Sequence, residues 1–141
     1  MLLPFLILLP SIILADEARD LATKLDNNLY NADTVEKIAS FFIDPFEQVT
    51  CSNVITIHHD ENYKQALEHH LKIRKQPDNK IDKAMSKRQI EDCKLDPVSK
   101  DLEFIMYLPT HKAKVLYQAK LFEEEYKITL TKIVMQNGII C

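Results

Sequence analysis

A single glycine, Gly138, stands in a chain of 141 residues. One glycine cannot build a glycine-rich nucleotide loop. Nor can it supply the sharp turn that exposes a hydrolase nucleophile, and no serine or cysteine sits in such a turn. No Asn-x-Ser/Thr sequence occurs, so no N-glycan is expected. There is no low-complexity run and no internal repeat, which excludes a solenoid. The three cysteines, Cys51, Cys93 and Cys141, show no metal-type spacing. After residue 15 no apolar run approaches the roughly 20 residues that a membrane-spanning helix needs.

What the chain does have begins at its first residue. MLLPFLILLPSIILA carries no charged side chain, and its apolar run is interrupted only by Pro4, Pro10 and Ser11. That length suits the apolar core of a secretory signal peptide, with small Ala15 at the cleavage edge. The segment lacks an early Lys or Arg, and Ile13 is large for its place before the cut. Two prolines and the absence of a polar face argue against an amphipathic N-terminal helix. Residues 1–15 are therefore expected to be a signal peptide. Residues 16–141 are expected to form one secreted, extracellular domain with one core and no membrane segment. Export also implies at least one disulfide, and three cysteines leave one thiol over.

Charge is uneven. Residues 16–63 carry ten acids against three bases, and residues 64–94 carry nine bases against five acids. The basic stretch reads as a solvated face balanced by the acidic helices before it. Nucleic acid is not expected as a partner, because acids are interleaved and no aromatic pair sits among the bases.

Leu21, Leu25 and Leu29, with Ala18 and Ala22, predict a helix over 17–31. Asp33 reads as an N-cap with Glu36 completing a capping box. Val35, Ile38, Ala39 and Phe42 would be the buried stripe of a second helix, which Asp44-Pro45 ends. Phe46 to Cys51 and Val54–Ile57 read as short extended segments. Asp60 caps a third helix over 61–75, with Tyr63, Ala66, Leu67, His70 and Leu71 on one face. Gln76 to Lys83 is polar and turn-like, although Ile81, Ala84 and Met85 could form a helical turn. A meander follows: about 85–95, then Leu102–Leu108, Lys114–Phe122 and Tyr126–Met135. Val115, Tyr117, Ala119 and Leu121 share one face of the third strand, and Tyr126, Ile128 and Leu130 one face of the fourth. Short connections imply antiparallel neighbours. The fold class is α+β: a curved antiparallel sheet covered by about three N-terminal helices.

This order of elements resembles the nuclear transport factor 2-like superfamily, in the form of its small secreted nematode-type domain proteins. The likeness rests on the first helix with Leu21, Leu25 and Leu29, on the stretch DTVEKIASFFIDPFEQVTC, and on a last strand pair closing at Cys141. It covers nearly all of 16–141. The chain departs from the pattern in carrying Cys51-Ser52-Asn53 where a glycine follows the first strand. The resemblance implies a cone whose sheet curls around a helix and leaves a pocket at the open end. Members include isomerases, dehydratases and transport adaptors, so the fold does not select a function. In such a cone the first strand lies beside the last. The resemblance thus implies a Cys51–Cys141 bridge with Cys93 free at the far edge, and Cys51–Cys93 is the alternative. If the two strands run antiparallel, the Asn137-Gly138 bend must bring Cys141 back.

His58-His59 and His69-His70 do not form a metal site on this reading. Adjacent helical histidines point about 100° apart, and His59 and His70 would stand roughly 16 Å apart on a helix. No metal or other cofactor is expected. A cystatin-like inhibitor is also set aside. Phe46 to Thr50 is similar to its Gln-x-Val-x-Gly loop, but the glycine is missing and three helices are too many. Tyr30, Tyr63, His70 and Tyr117 are the candidate pocket residues. The leading expectation is a non-enzymatic monomer or homodimer that binds a small apolar ligand or a protein partner. The alternative is an isomerase- or dehydratase-type enzyme with an acid–base residue inside the cone. An inward carboxylate beside Tyr or His would favour the enzyme, and an apolar lining would favour binding.

Overall fold

The computed structural model of the protein describes residues 3–77 and 80–141, with side chains from Ala15 onward apart from Ile81. The expected signal segment therefore lies almost wholly outside the described side chains. The first helix, α1 (Leu3–Asn31), starts earlier than periodicity predicts and runs through Pro10 without a break. The expected leucines and alanines do form its inner face. Ala18, Ala22 and Leu25 are buried, and Leu21 and Leu29 pack beside them.

α2 (Val35–Ser40) is shorter than expected and is capped one residue later. Thr34 is the N-cap, its Oγ1 accepting the Lys37 N–H at 3.1 Å. Asp33 instead makes an exposed ion pair with Lys37 at 3.7 Å. Phe42 is not helical: it opens β1 (Phe42–Val49), which runs straight through the Asp44–Pro45 pair taken as a helix stop. A register shift between Phe42 and Glu47 accommodates Pro45, which has no N–H for a ladder.

β2 (Val54–Ile57) returns antiparallel to β1. α3 (Glu61–Arg74) starts as expected, with Asp60 Oδ1 accepting the Tyr63 N–H at 2.9 Å. The stretch read as turn-like holds a fourth helix, α4 (Lys80–Met85). Then come β3 (Gln89–Leu95), β4 (Leu102–Leu108), a 3-10 turn (Pro109–His111), β5 (Ala113–Phe122), β6 (Glu125–Gln136) and β7 (Ile139–Ile140).

The fold is α+β, with one mixed sheet in the order β2-β1-β6-β5-β4-β3 and β7 added beside β6. The expectation of a wholly antiparallel sheet is corrected at one place: β1 runs parallel to β6. That direction brings the ends of both strands to one rim. Val49 stands opposite Lys132, so Cys51 emerges level with Val134. The Asn137-Gly138 turn, at φ 53° and 81°, folds β7 back along β6. Cys141 N–H then donates to Val134 O at 3.1 Å. Both devices put the two cysteines side by side, and the Cys51–Cys141 disulfide closes with Cα atoms 5.0 Å apart. Cys93 is free.

A second correction concerns the faces of β6. Ala119 pairs with Ile128 but Gln118 pairs with Leu130, so an extra residue, Thr129, sits in β6. The bulge reverses the alternation beyond it. Ile128 faces the helices as expected, whereas Leu130 turns outward and Thr131 and Ile133 turn inward in its place. The inner face carries the core, with Leu95, Leu102, Phe104, Ala119 and Ile128 under α1. Leu121, expected on that face, is 43% exposed. The outer face is tied by cross-strand polar pairs, Lys114 Nζ to Glu91 Oε2 and Gln118 Nε2 to Glu103 Oε1, both 2.9 Å. Among the described residues no helix is long and apolar enough to cross a membrane.

Candidate ligand cavity

The core does not fill the space between the helices and the sheet. Toward the β1 side of the inner face, a cavity of about 490 Å³ lies between α1, α3, α4 and the sheet. This falls within the range of small-molecule sites. Met106, Val115 and Ile133 form its floor, Phe42 and Phe46 a wall, and Ala66 and Leu67 of α3 the roof. The floor depends on the bulge at Thr129, since without it Ile133 would point to the other face.

All four pocket residues singled out from the sequence, Tyr30, Tyr63, His70 and Tyr117, line this one cavity. α3 contributes two because Tyr63 and His70 lie seven residues apart, two turns along one face. Tyr63 sits in an aromatic group, edge-on to Phe46 at 5.8 Å and stacked with His59 at 5.0 Å. Tyr117 stacks on Phe104 at 5.3 Å. Burial pushes both phenols up to about 12, and the Asp26 carboxylate adds to the rise at Tyr117. Both therefore keep their protons near neutral pH and act as O–H donors. Neither Oη finds a hydrogen-bond partner among the described residues. Burial moves His70 the other way, below the ordinary imidazole value. Arg74 adds to that fall and Asp82 opposes it.

Sequence reasoning missed two residues at the polar end: Asp26, which lines the cavity, and Arg88, which pairs with it. Asp26 is buried on the inner stripe of α1, and Arg88 Nε donates to its Oδ2 at 2.7 Å. Arg88 is held further by Met85 O at 3.0 Å and Asn27 Oδ1 at 3.2 Å. Its guanidinium lies 4.0 Å from the centre of the Tyr30 ring, and that of Arg74 lies 4.7 Å from the same ring. Arg74 is itself paired with Asp82 at 2.9 Å. Tyr30 is thus flanked by two paired cations, which fixes its ring. Burial raises the Asp26 carboxyl above its usual range and outweighs the opposing pull of Arg88. A signal for Asp26 was present in the sequence, because it follows Ala18 and Ala22 at helical spacing. Nothing local marks Arg88, 62 residues away.

Among the described residues no three His, Cys, Asp or Glu side chains group to hold a metal ion. His58 sits outside near Asp44, at 4.0 Å, and His69 is exposed. The cavity, open beside the exposed Ala66 and His70 of α3, can therefore receive an apolar body and offer two phenol donors to it, with the charges beside it neutralised in pairs.

No protein-family model matches the chain, and no curated protein matches it. A solved structure of a DUF4783 family protein from Bacteroides uniformis is similar at 10% identity, covering 70% of this chain and 82% of that one, with a TM-score of 0.38. A score of that size carries no argument on fold or function.

Proposed function

We propose that this chain is a secreted, nuclear transport factor 2-like domain that binds a small apolar ligand in its inner cavity without transforming it. The observation that carries this is the cavity itself, mainly apolar in its lining, with neither the Tyr63 nor the Tyr117 hydroxyl hydrogen-bonded among the described residues. Its ligand has an apolar body and at least one neutral hydrogen-bond acceptor. A charged head group is disfavoured, because Asp26 and Arg88 already neutralise each other, as do Arg74 and Asp82, and an added charge would find no free partner against a mainly apolar lining. Export and removal of residues 1–15 are supported by the apolar opening and by the disulfide, which suits an oxidising compartment.

The test is a titration of protein carrying labelled methyl groups with neutral straight-chain alcohols. Shifts at the Met85, Met106, Val115 and Ile133 methyls, weakened by Tyr117→Phe, support the reading. Shifts confined to exposed methyls such as Val98 sink it.

One observation favours the isomerase- or dehydratase-type alternative: the Asp26 carboxylate lies inward, close enough to raise the Tyr117 phenol. Against it, Arg88 holds that carboxylate in an ion pair, which suits a structural clamp between α1 and the segment just before β3. A bound ligand recovered with its mass and fragmentation unchanged after long incubation supports binding. Conversion that Asp26→Asn abolishes in a folded variant would establish the enzyme.

A further inference from the structure

Phe42 lines the cavity on one side and a second, broader depression on the other. That cleft, about 1030 Å³, lies between α2, the start of β1 and the β5–β6 hairpin. Its floor is apolar: Ala39, Phe42, Ile43, Leu121 and Phe122. Leu121 and Phe122 are 43% and 42% exposed. Its rim is acidic. Glu36, Asp44, Glu123 and Glu125 line it, with Lys127, His59 and Ser40 the other polar residues. Glu36, Glu123 and Glu125 make no ion pair among the described residues. Among the described residues Asp44 faces His58, at 4.0 Å, and accepts the His59 N–H.

We propose that this cleft docks an extended basic segment of a partner protein, with its Lys or Arg side chains meeting Glu36, Glu123 and Glu125 and its apolar side chains resting on Ile43, Leu121 and Phe122. Charge complementarity chooses the occupant. The unpaired carboxylates repel nucleic acid and anionic membranes, and they speed the approach of a cationic chain. An apolar floor inside an acidic rim selects for alternating basic and apolar residues rather than for charge alone. The turn chemistry agrees. Glu123 and Glu124 occupy left-handed φ of 48° and 73° in a two-residue turn. Asn-Gly is the favoured pair for that geometry, and this sheet uses it at Asn137-Gly138. The hairpin tip carries carboxylates where stability alone favours other residues.

The test uses the chain from Asp16 to Cys141 and the probe acetyl-Lys-Leu-Lys-Phe-Lys-Leu-amide, followed by amide shifts in NMR. Shifts clustering at Ser40–Asp44 and Leu121–Lys127, with the Met106 and Ile133 methyls of the cavity unmoved, are expected. Glu36→Gln/Glu123→Gln/Glu125→Gln should weaken binding at least about tenfold. Phe122→Ser should weaken it too. Raising salt to about 0.15 M, where screening acts over ~8 Å, should do the same. A probe with Ser at every apolar position should bind more weakly than the parent. Urea midpoints close to that of the parent chain show that the variants fold. No binding, shifts spread over other acidic surfaces or into the cavity, equal binding of the Ser probe, or indifference to the triple substitution overturns the proposal. Self-association through this cleft, which would make a second copy the occupant, overturns it as well.

Discussion

Removing the Cys51–Cys141 bridge separates two sources of stability. The bridge joins residues 90 apart, so in the chain-entropy account it restricts the unfolded chain by about 4–5 kcal/mol at 25 °C. The folded side contributes little. β7 holds only Ile139 and Ile140, which are 72% and 80% exposed, so freeing it uncovers almost no apolar surface. Cys51→Ala/Cys141→Ala avoids rearrangement with Cys93. Followed by circular dichroism in urea, the double variant should keep the parent spectrum and lose about 4–5 kcal/mol. Domains of this kind are stable by about 5–15 kcal/mol, so the variant should sit near the edge of folding. Its denaturant slope should rise, because the uncrosslinked chain exposes more surface. A loss below about 1 kcal/mol with an unchanged slope would refute the reasoning. It would mean either that the bridge does not close or that the unfolded chain is already compact around it.

Three further outcomes follow from particular residues. Glu123→Asn/Glu124→Gly should gain about 1 kcal/mol in urea, by relieving two left-handed positions and removing two of three adjacent carboxylates; a loss would show that the turn is held by contacts to those side chains. Asp26→Asn should cost about 3–5 kcal/mol by leaving the Arg88 guanidinium buried without a counter-charge, and a thermal melt near that of the parent would contradict the clamp. His70 should titrate below its ordinary value of 6.5 in NMR. Its folded state then binds fewer protons than the unfolded chain, so its contribution to stability is complete above pH 6.5 and falls as pH drops below it. His70→Gln should flatten that part of the stability profile, and an unchanged slope would assign it elsewhere.

Much of the fold was legible where one period ran without interruption. Leu21, Leu25 and Leu29 marked the inner face of α1, and Leu102–Leu108 marked β4 to the residue. The Asp60 cap positioned α3, which set Tyr63 and His70 on one side. What stayed hidden arose from tertiary choices. Asp33 and Thr34 are both good caps, and the chain uses the second. Pro45 read as a helix stop, yet β1 carries it at a register shift. Thr129 is one residue too many in β6, and no local pattern shows which residue a strand will bulge at. The candidate cavity was half legible for the same reasons. Tyrosines and a histidine on apolar faces could be gathered from periodicity. The Asp26–Arg88 pair, of which Asp26 lines the cavity, depends on two segments meeting 62 residues apart.

The cavity between α1, α3 and the sheet is the centre of this account, and native mass spectrometry of protein collected from a secreting host tests it most directly. A chain beginning at Asp16 with one disulfide, carrying a non-covalent mass that leaves on collisional activation and is a neutral apolar compound, is the expected result. A bare chain under the gentlest conditions, from preparations that retain other hydrophobic cargo on known carriers, would contradict it.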